Sequence, residues 1–230
     1  MYASLLRENL PRVRDAIAEA ALAAGRDPSE VTLVAVTKGH PPEAVSAALD
    51  AGLTDLGENR VEELEGKVAR FRGAKVRWHM VGHVQGRKAA RAAEVAQLIH
   101  SVDSERLAER IARSADESQR SVDVLFQVNT SGEQAKYGFS PAQAKERIPE
   151  LAALSGLNAR GLMTMAPLTE DEATLRLTFG RLRELSNDVR ERFPTFGCEL
   201  SMGMTNDLRF AVAEGSTMVR IGTALFGARG

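Results

Sequence analysis

The sequence contains almost none of the residue that forms disulfides and structural zinc sites. Cys198 is the single cysteine among 230 residues, so the chain can form no internal disulfide and no cysteine-based zinc site. A chain without disulfides is typical of a reducing compartment. The amino terminus carries charges at Arg7 and Glu8 and lacks the apolar core of a secretory signal. We therefore expect a cytoplasmic protein.

Long apolar runs and an excess of charge of one sign are also absent. No uninterrupted apolar stretch approaches the ~20 residues that span a bilayer. Lys and Arg total 30 and Asp and Glu total 31, a balance that gives no general attraction to nucleic acid or to anionic membranes. The strongest local basic group, Arg87, Lys88 and Arg91, has helical spacing and predicts a solvated helix face. We therefore predict neither a nucleic-acid partner nor a membrane partner.

Short apolar segments alternate with amphipathic helical segments along the chain. The segments predicted as strands are Val31–Lys38, Asp55–Asn59, Val76–Val81, Gln97–Val102, Val122–Asn129, Asn158–Met165, Cys198–Met202 and Thr217–Gly222. Eight such units predict parallel strands joined by helical crossovers and closed into a (β/α)8 TIM barrel. An open doubly wound sheet is the alternative. It is disfavoured because the first strand runs into Thr-Lys-Gly-His-Pro-Pro and not into a Gly-x-Gly-x-x-Gly loop.

We predict a single α/β domain over residues 1–230, with the barrel at about 31–227 and an additional helix at about 4–24. The additional helix has Leu6, Leu10, Val13 and Ile17 on one face. The segment after the last strand is too short for a full eighth helix, so this amino-terminal helix is expected to cover the sheet there.

Smaller features give further local predictions. Pro149 predicts that its helix ends or kinks there, because proline cannot donate a backbone hydrogen bond. Residues 169–172 predict a capping box at the start of the next helix. Cys198 is predicted to lie in the core.

Lys38 is the most informative single residue. It ends the first predicted strand and shares a strand face with Val34 and Val36. If that face lines the barrel, desolvation and a nearby cation would lower the pKa of the amine and make it a nucleophile for carbonyl groups. The alternative is a surface lysine at the start of a loop.

Two loops near the end of the chain have the composition of a phosphate site. The segment 201–207 (Ser-Met-Gly-Met-Thr-Asn-Asp) follows the seventh strand, and 220–223 (Arg-Ile-Gly-Thr) ends the eighth. Loops at these two places commonly hold phosphate in barrels, although each could also be an ordinary glycine turn. Together with an inward Lys38 and Arg220, they predict a small ligand that carries both an aldehyde and a phosphate.

The histidines are less specific. His79 and His83 are four residues apart, but Gly82 and the predicted strand remove the helical face that a shared metal would need. His79 is either a rim residue beside the ligand or a structural histidine. His40 and His100 carry no pattern, and no metal site is predicted.

Six ordered blocks of sequence resemble one known family. They are Val34–Lys38, Gly57–Arg60, Trp78–Gly82, Arg160–Met163, Leu200–Met204 and Gly215–Thr223. The chain resembles the pyridoxal phosphate homeostasis proteins, relatives of the alanine racemase barrel, from about residue 5 to about residue 227. Members often have serine where Thr37 and Thr205 stand, and asparagine where Arg87 stands. The last difference leaves open any role of the segment 84–88.

The resemblance implies a cofactor and its ligands. It implies that Lys38 carries pyridoxal 5′-phosphate as a Schiff base, and that Arg220 faces the pyridine nitrogen and keeps it unprotonated. Asn59 would lie beside the ring. The resemblance assigns the phosphate to backbone and hydroxyl groups of Ser201, Gly203, Thr205, Gly222 and Thr223.

The resemblance also implies a role in the intracellular supply of the cofactor, without robust catalysis. The alternative is an amino-acid racemase or lyase with weak activity. Racemisation needs two positioned acid–base groups, and alanine racemases take the second from a further domain, which is not expected in a chain ending at Gly230. The chain has two tyrosines, Tyr2 and Tyr137. A Schiff-base aldolase is a third, disfavoured possibility. We expect a monomer whose partners include pyridoxal phosphate-dependent apoenzymes.

Overall fold

Eight parallel strands follow one another in chain order around a closed barrel. The computed structural model describes residues 1–133 and 136–228. The strands are β1 (Thr32–Val36), β2 (Asp55–Glu58), β3 (Arg77–Met80), β4 (Leu98–Val102), β5 (Val122–Gln127), β6 (Leu157–Met163), β7 (Glu199–Ser201) and β8 (Met218–Ile221). β1 pairs with β8 and closes the ring. The predicted (β/α)8 barrel is confirmed, and most strands end one or two residues earlier than predicted because the chain there leaves the sheet for a loop.

Helices surround the strands. They are α1 (Tyr2–Ala23), α2 (Pro42–Asp50), α3 (Val61–Arg70), α4 (Ala89–Val95), α5 (Glu105–Glu117), α6 (Pro141–Ala152), α7 (Glu172–Arg192), α8 (Leu208–Ala213) and α9 (Thr223–Phe226). Alternate residues of each strand face these helices, as the strand period requires. Ala35 and Ile221 belong to the resulting main core, whereas Leu98, Leu125, Met163 and Met218 form a separate apolar cluster inside the barrel.

The amino ends of the strands carry a ring of charged side chains. Arg77 lies between Asp55 and Asp123, at 4.0 and 3.9 Å, and Arg160 lies between Asp123 and Glu199, at 3.8 and 3.2 Å. Individual half-exposed ion pairs contribute little stability. The arginines and carboxylates nevertheless alternate, so each charge has a neighbour of opposite sign at the end of the barrel where the interior meets solvent.

Helix α1 takes the position that a full eighth crossover helix would occupy. Its predicted apolar face is buried, with Leu6 only 1% exposed. Asn9 Nδ2 donates to the Leu225 carbonyl of α9 (3.3 Å), and Arg26 Nη1 donates to the carbonyls of Val212 and Ser216 (2.9 Å each). The expectation that this helix covers the sheet beside the short carboxyl-terminal segment is confirmed.

Three local predictions differ from the structure. α6 does not end at Pro149 but continues to Ala152, and the Lys145 carbonyl that Pro149 cannot reach accepts from Arg192 Nη1 at 3.5 Å. The alternative of a kink at Pro149 stays a prediction. α7 is capped by Asp171, whose carboxylate accepts from the Thr174 amide, and not by a box at 169–172. Cys198 is exposed and not in the core.

The described residues contain no helix that is both long and apolar enough to cross a membrane. Residues 134–135 and 229–230 lie outside the described residues, so the predicted domain boundary at residue 230 stays a prediction.

We predict that Leu6→Ala destabilises the protein by ~2–5 kcal/mol, because it leaves a cavity between α1 and the barrel. The free energy of unfolding, measured by urea titration, checks this. Leu22→Ala on the same helix is the control, since Leu22 is 66% exposed and its truncation should change stability little. Equal effects of the two substitutions would contradict the role of α1 in covering the barrel.

Candidate functional site

A cavity of about 200 Å³ lies at the carboxyl ends of the strands. Six of the eight residues predicted for the site line it: Lys38, Asn59, Thr205, Arg220, Gly222 and Thr223. They come from the ends of β1, β2 and β8 and from the loop after β7, which a closed barrel brings to one face. The lining residues that sequence reasoning missed are Val36, His40, Val81, Met165 and Met204. All of them are at or just beyond strand ends, which is the signal that could have found them.

The backbone on both sides of Lys38 is held in place. Lys67 Nζ donates to the Thr37 carbonyl at 2.8 Å, and the Gly39 amide donates to Glu63 Oε2 at 3.0 Å. Val36, two residues before, lines the same cavity. The half-buried Lys38 side chain therefore starts from a fixed backbone position.

A buried charged cluster lies directly behind Lys38. Glu58 is fully buried, and its Oε1 accepts from Lys67 Nζ at 2.6 Å and from Thr37 Oγ1 at 2.5 Å. Burial raises the pKa of the Glu58 carboxyl, although both hydrogen bonds oppose the shift. A buried ion pair is costly to break because it leaves a lone charge behind. The cluster therefore holds β1, β2 and α3 together at the point where Lys38 begins.

Arg220 is a buried guanidinium at the cavity wall. Its Nη1 donates to Ser201 Oγ at 2.5 Å, and its Nη2 donates to the Thr164 carbonyl at 3.0 Å. Burial lowers the pKa of Arg220 to about 10, which still leaves it charged at neutral pH. Within the described residues, no carboxylate forms an ion pair with it. Because a buried charge needs compensation, its remaining N–H groups favour an acceptor in the cavity.

Glycines shape the loops that carry the two threonines. Gly203 has φ +99°, and a Cβ there would lie 2.7 Å from the Cβ of Ala211, so only glycine fits. Gly203 does not line the cavity but allows the turn that leads to Thr205. Thr223 begins α9, where the first backbone amides have no acceptor within the helix.

The hydroxyl of Ser201 is placed differently from the prediction. Ser201 is fully buried inside the barrel and is not among the residues lining the cavity. Its Oγ lies 2.8 Å from His100 Nδ1 and accepts from Arg220. This hydroxyl therefore contacts the arginine and not the space where a phosphate was predicted.

The histidines separate into three environments. His79 lies in the barrel interior and not on the rim, with Nε2 3.0 Å from Asp55 Oδ1. His83 Nδ1 lies 2.7 Å from Asp103 Oδ2, and its ring stacks on Tyr137 with centroids 4.2 Å apart. His40 lines the cavity, with Nδ1 3.2 Å from the Tyr2 hydroxyl. In the described part of the chain, no group of three or more acidic, histidine or cysteine side chains has the arrangement of a metal site.

Comparison with known proteins gives the family. Residues 9–230 match the family model of the alanine racemase N-terminal domain. The pyridoxal phosphate homeostasis protein of Pseudomonas aeruginosa is 42% identical over 226 residues, covering 98% of this chain and 96% of that protein. The homologue of the same name in Escherichia coli K12 is 38% identical, and 97% of each chain is covered.

Solved structures agree with this relationship. PipY of Synechococcus elongatus, solved with pyridoxal phosphate bound, is 40% identical, with a TM-score of 0.82 over 92% of this chain and all of PipY. Alanine racemase of Clostridium difficile is 15% identical, with a TM-score of 0.79 over 98% of this chain and 60% of the racemase, and it shows the fold alone. The chain therefore belongs to the pyridoxal phosphate homeostasis protein family and has the barrel of the alanine racemase N-terminal domain.

Proposed function

We propose that this protein binds pyridoxal 5′-phosphate covalently through Lys38 and acts in the intracellular homeostasis of that cofactor. The observation that carries the proposal is one cavity lined by a lysine amine, a buried arginine and two threonine hydroxyls. A 40% identical relative with this barrel has been solved with pyridoxal phosphate bound, which supports the same ligand here.

The donor groups of the cavity fit the functional groups of this cofactor. Lys38 supplies an amine for the aldehyde, and Arg220 supplies N–H donors for the ring nitrogen. Thr205 and Thr223, with the first amides of α9 and the backbone at Gly222, supply neutral donors for the phosphate. Asn59 lines the cavity on the β2 side and is assigned to the ring. The bound cofactor would supply an electrophilic aldehyde and an electron-withdrawing ring.

Arg220 favours binding over catalysis. A guanidinium has five N–H donors and no acceptor, so a ring nitrogen facing it must act as the acceptor and stay unprotonated. The pKa of about 10 keeps the arginine charged at neutral pH, even though burial lowers it. An unprotonated ring withdraws electrons weakly, which disfavours proton abstraction from a bound amino acid.

The alternative function, an amino-acid racemase or lyase, requires a second positioned acid–base group. Tyr137 is not among the residues lining the cavity, and its ring stacks on His83. His40 does line the cavity, and its Nδ1 lies beside the Tyr2 hydroxyl. The position of Tyr137 outside the cavity lining supports a carrier without robust turnover.

A carrier role has consequences for partners and location. We propose that the protein is a cytoplasmic monomer and that pyridoxal phosphate-dependent apoenzymes receive the cofactor from it. Tyr137 and His83 are exposed and stack on each other in the loops that follow β5 and β3, at the same end of the barrel as the cavity, and we propose that an acceptor enzyme approaches there.

We predict that Lys38→Ala abolishes the absorption band of the protein-bound cofactor and the adduct trapped by borohydride, because Lys38 is the lysine among the described residues that line the cavity. Absorption spectra and peptide mass spectrometry of the loaded proteins check this. Lys75→Ala, which removes an exposed lysine away from the cavity, is the control and should keep both signals. A trapped adduct at another lysine in Lys38→Ala would contradict the assignment.

We expect Thr205→Val and Thr223→Val each to weaken retention of the cofactor by about tenfold or more, because a hydrogen bond to a charged group contributes about 1.5–3 kcal/mol. Equilibrium dialysis gives the dissociation constants. Thr195→Val, at an exposed position, should leave them unchanged. Unchanged binding in both cavity variants would place the phosphate elsewhere.

Loaded protein incubated with L-alanine or D-alanine is expected to produce no more of the opposite enantiomer than Lys38→Ala does, because a ring nitrogen held unprotonated by Arg220 weakens the electron withdrawal that proton abstraction needs. Chiral chromatography of the products measures this. Steady turnover that depends on Lys38 would establish the alternative, a racemase.

A further inference from the structure

A continuous line of hydrogen-bonded side chains crosses the barrel interior from Arg220 to the opposite end of the strands. Arg220 Nη1 lies 2.5 Å from Ser201 Oγ, which lies 2.8 Å from His100 Nδ1. His100 Nε2 lies 2.8 Å from His79 Nδ1, and His79 Nε2 lies 3.0 Å from Asp55 Oδ1. The line therefore joins the cavity wall to the charged ring at the amino ends of the strands.

Burial lowers the pKa of both His79 and His100, which favours neutral imidazoles. With both rings neutral, the two ends of this line fix the direction of every hydrogen bond in it. Arg220 can only donate, and the Asp55 carboxylate can only accept. Ser201 therefore accepts from the arginine and donates its own hydrogen to His100 Nδ1. His100 then donates from Nε2 to His79, and His79 donates from Nε2 to Asp55. Each neutral imidazole therefore carries its single N–H on Nε2.

These polar groups occupy a place that barrels usually fill with branched apolar side chains. Ser201, His100 and His79 are fully buried, and none of the three lines the cavity. The apolar cluster of Leu98, Leu125, Met163 and Met218 fills only another part of the interior. Burying two imidazoles is unfavourable unless every polar atom is bonded, and this line satisfies both nitrogens of each ring.

We propose that Asp55, His79, His100 and Ser201 are positioning residues that hold the Arg220 guanidinium against the ring of the bound ligand, with Asp55 as the terminal acceptor of the line. This inference rests on the proposed binding of pyridoxal phosphate. His100 holds the serine hydrogen, so the Ser201 lone pairs always face Arg220. In this line each group donates toward Asp55. Because a carboxylate cannot donate, Asp55 prevents the reverse arrangement, in which the groups would donate toward Arg220.

Two substitutions of His100 cut the line on different sides. In His100→Gln the amide nitrogen can replace Nε2 and still donate to His79, but the acceptor for Ser201 is lost. In His100→Asn the amide oxygen can replace Nδ1 and still accept from Ser201, but the bond to His79 is lost. A positioning role predicts a larger effect of glutamine than of asparagine on the ligand ring.

Two carboxylates at the opposite end of the barrel provide a matched pair. Asp55 and Asp123 have side chains that are 23% and 29% exposed, and each lies about 4 Å from Arg77. Only Asp55 belongs to the line. Asp55→Asn removes the charge with little change of shape, and its amide nitrogen can donate to His79, which permits the opposite direction of hydrogen bonding along the line. Asp123→Asn removes an equivalent charge outside the line.

The test is the ¹⁵N chemical shift of ring-labelled pyridoxal 5′-phosphate bound to the full chain, together with binding of pyridoxine 5′-phosphate, which has no aldehyde. In the unsubstituted protein we expect the shift of an unprotonated, hydrogen-bonded ring nitrogen. His100→Gln should move the signal and weaken pyridoxine 5′-phosphate binding about tenfold, and His100→Asn should move it less. Asp55→Asn should move the signal in the same direction, and Asp123→Asn should leave it in place.

An unchanged ¹⁵N signal in Asp55→Asn and His100→Gln, even with lowered thermal stability, would overturn the positioning role and leave the proposed function intact. Equal effects of Asp55→Asn and Asp123→Asn would also overturn it, because any charge at that end would then suffice. If the unsubstituted protein binds neither compound, the proposed function fails first. Should His100→Gln not fold, the Asp55 and Asp123 variants still decide the question.

Discussion

The burial of the Arg220 guanidinium inside a closed barrel is the constraint on which the rest of the site depends. Moving such a charge out of water is costly unless its hydrogen bonds are satisfied. Here the protein supplies Ser201 and the Thr164 carbonyl but no ion pair within the described residues. The cavity side of the guanidinium is thereby left to a ligand, and the serine needs its own acceptor deeper in the barrel.

Lys38 is held by a different device. Its neighbours Thr37 and Gly39 are bonded to Lys67 and Glu63, so α3 fixes the backbone from which the lysine side chain extends. The amine and the guanidinium therefore approach the cavity from adjacent strands, β1 and β8, that pair with each other. A ligand that reaches both must have an electrophilic group and an acceptor at a fixed separation, which fits the cofactor of the family.

Periodic features could be predicted well from the sequence, and single contacts could not. The strand–helix alternation predicted the barrel, and the strand-end positions of Lys38, Asn59 and Arg220 predicted a shared face. The predicted end of α6 at Pro149 was wrong. The Lys145 carbonyl, to which Pro149 cannot donate, accepts instead from Arg192 of α7. The predicted burial of Cys198 was wrong because the sequence next to a strand does not show whether a side chain just before that strand faces the core or solvent.

The sequence by itself determined the barrel and the face that carries the site, because these follow from local periodicity and from the order of the strands. Of the six predicted residues that line the cavity, Asn59 was assigned to the ligand only by the resemblance to the family. Only the tertiary structure decided that Ser201 bonds to Arg220, that His100 and His79 connect it to Asp55, and that Glu58 and Lys67 lie behind Lys38. Most of these contacts join residues far apart in the chain, and in the barrel interior they depend on which inward-facing side chains of different strands meet. The spacing of residues in the sequence does not show which of these side chains come into contact.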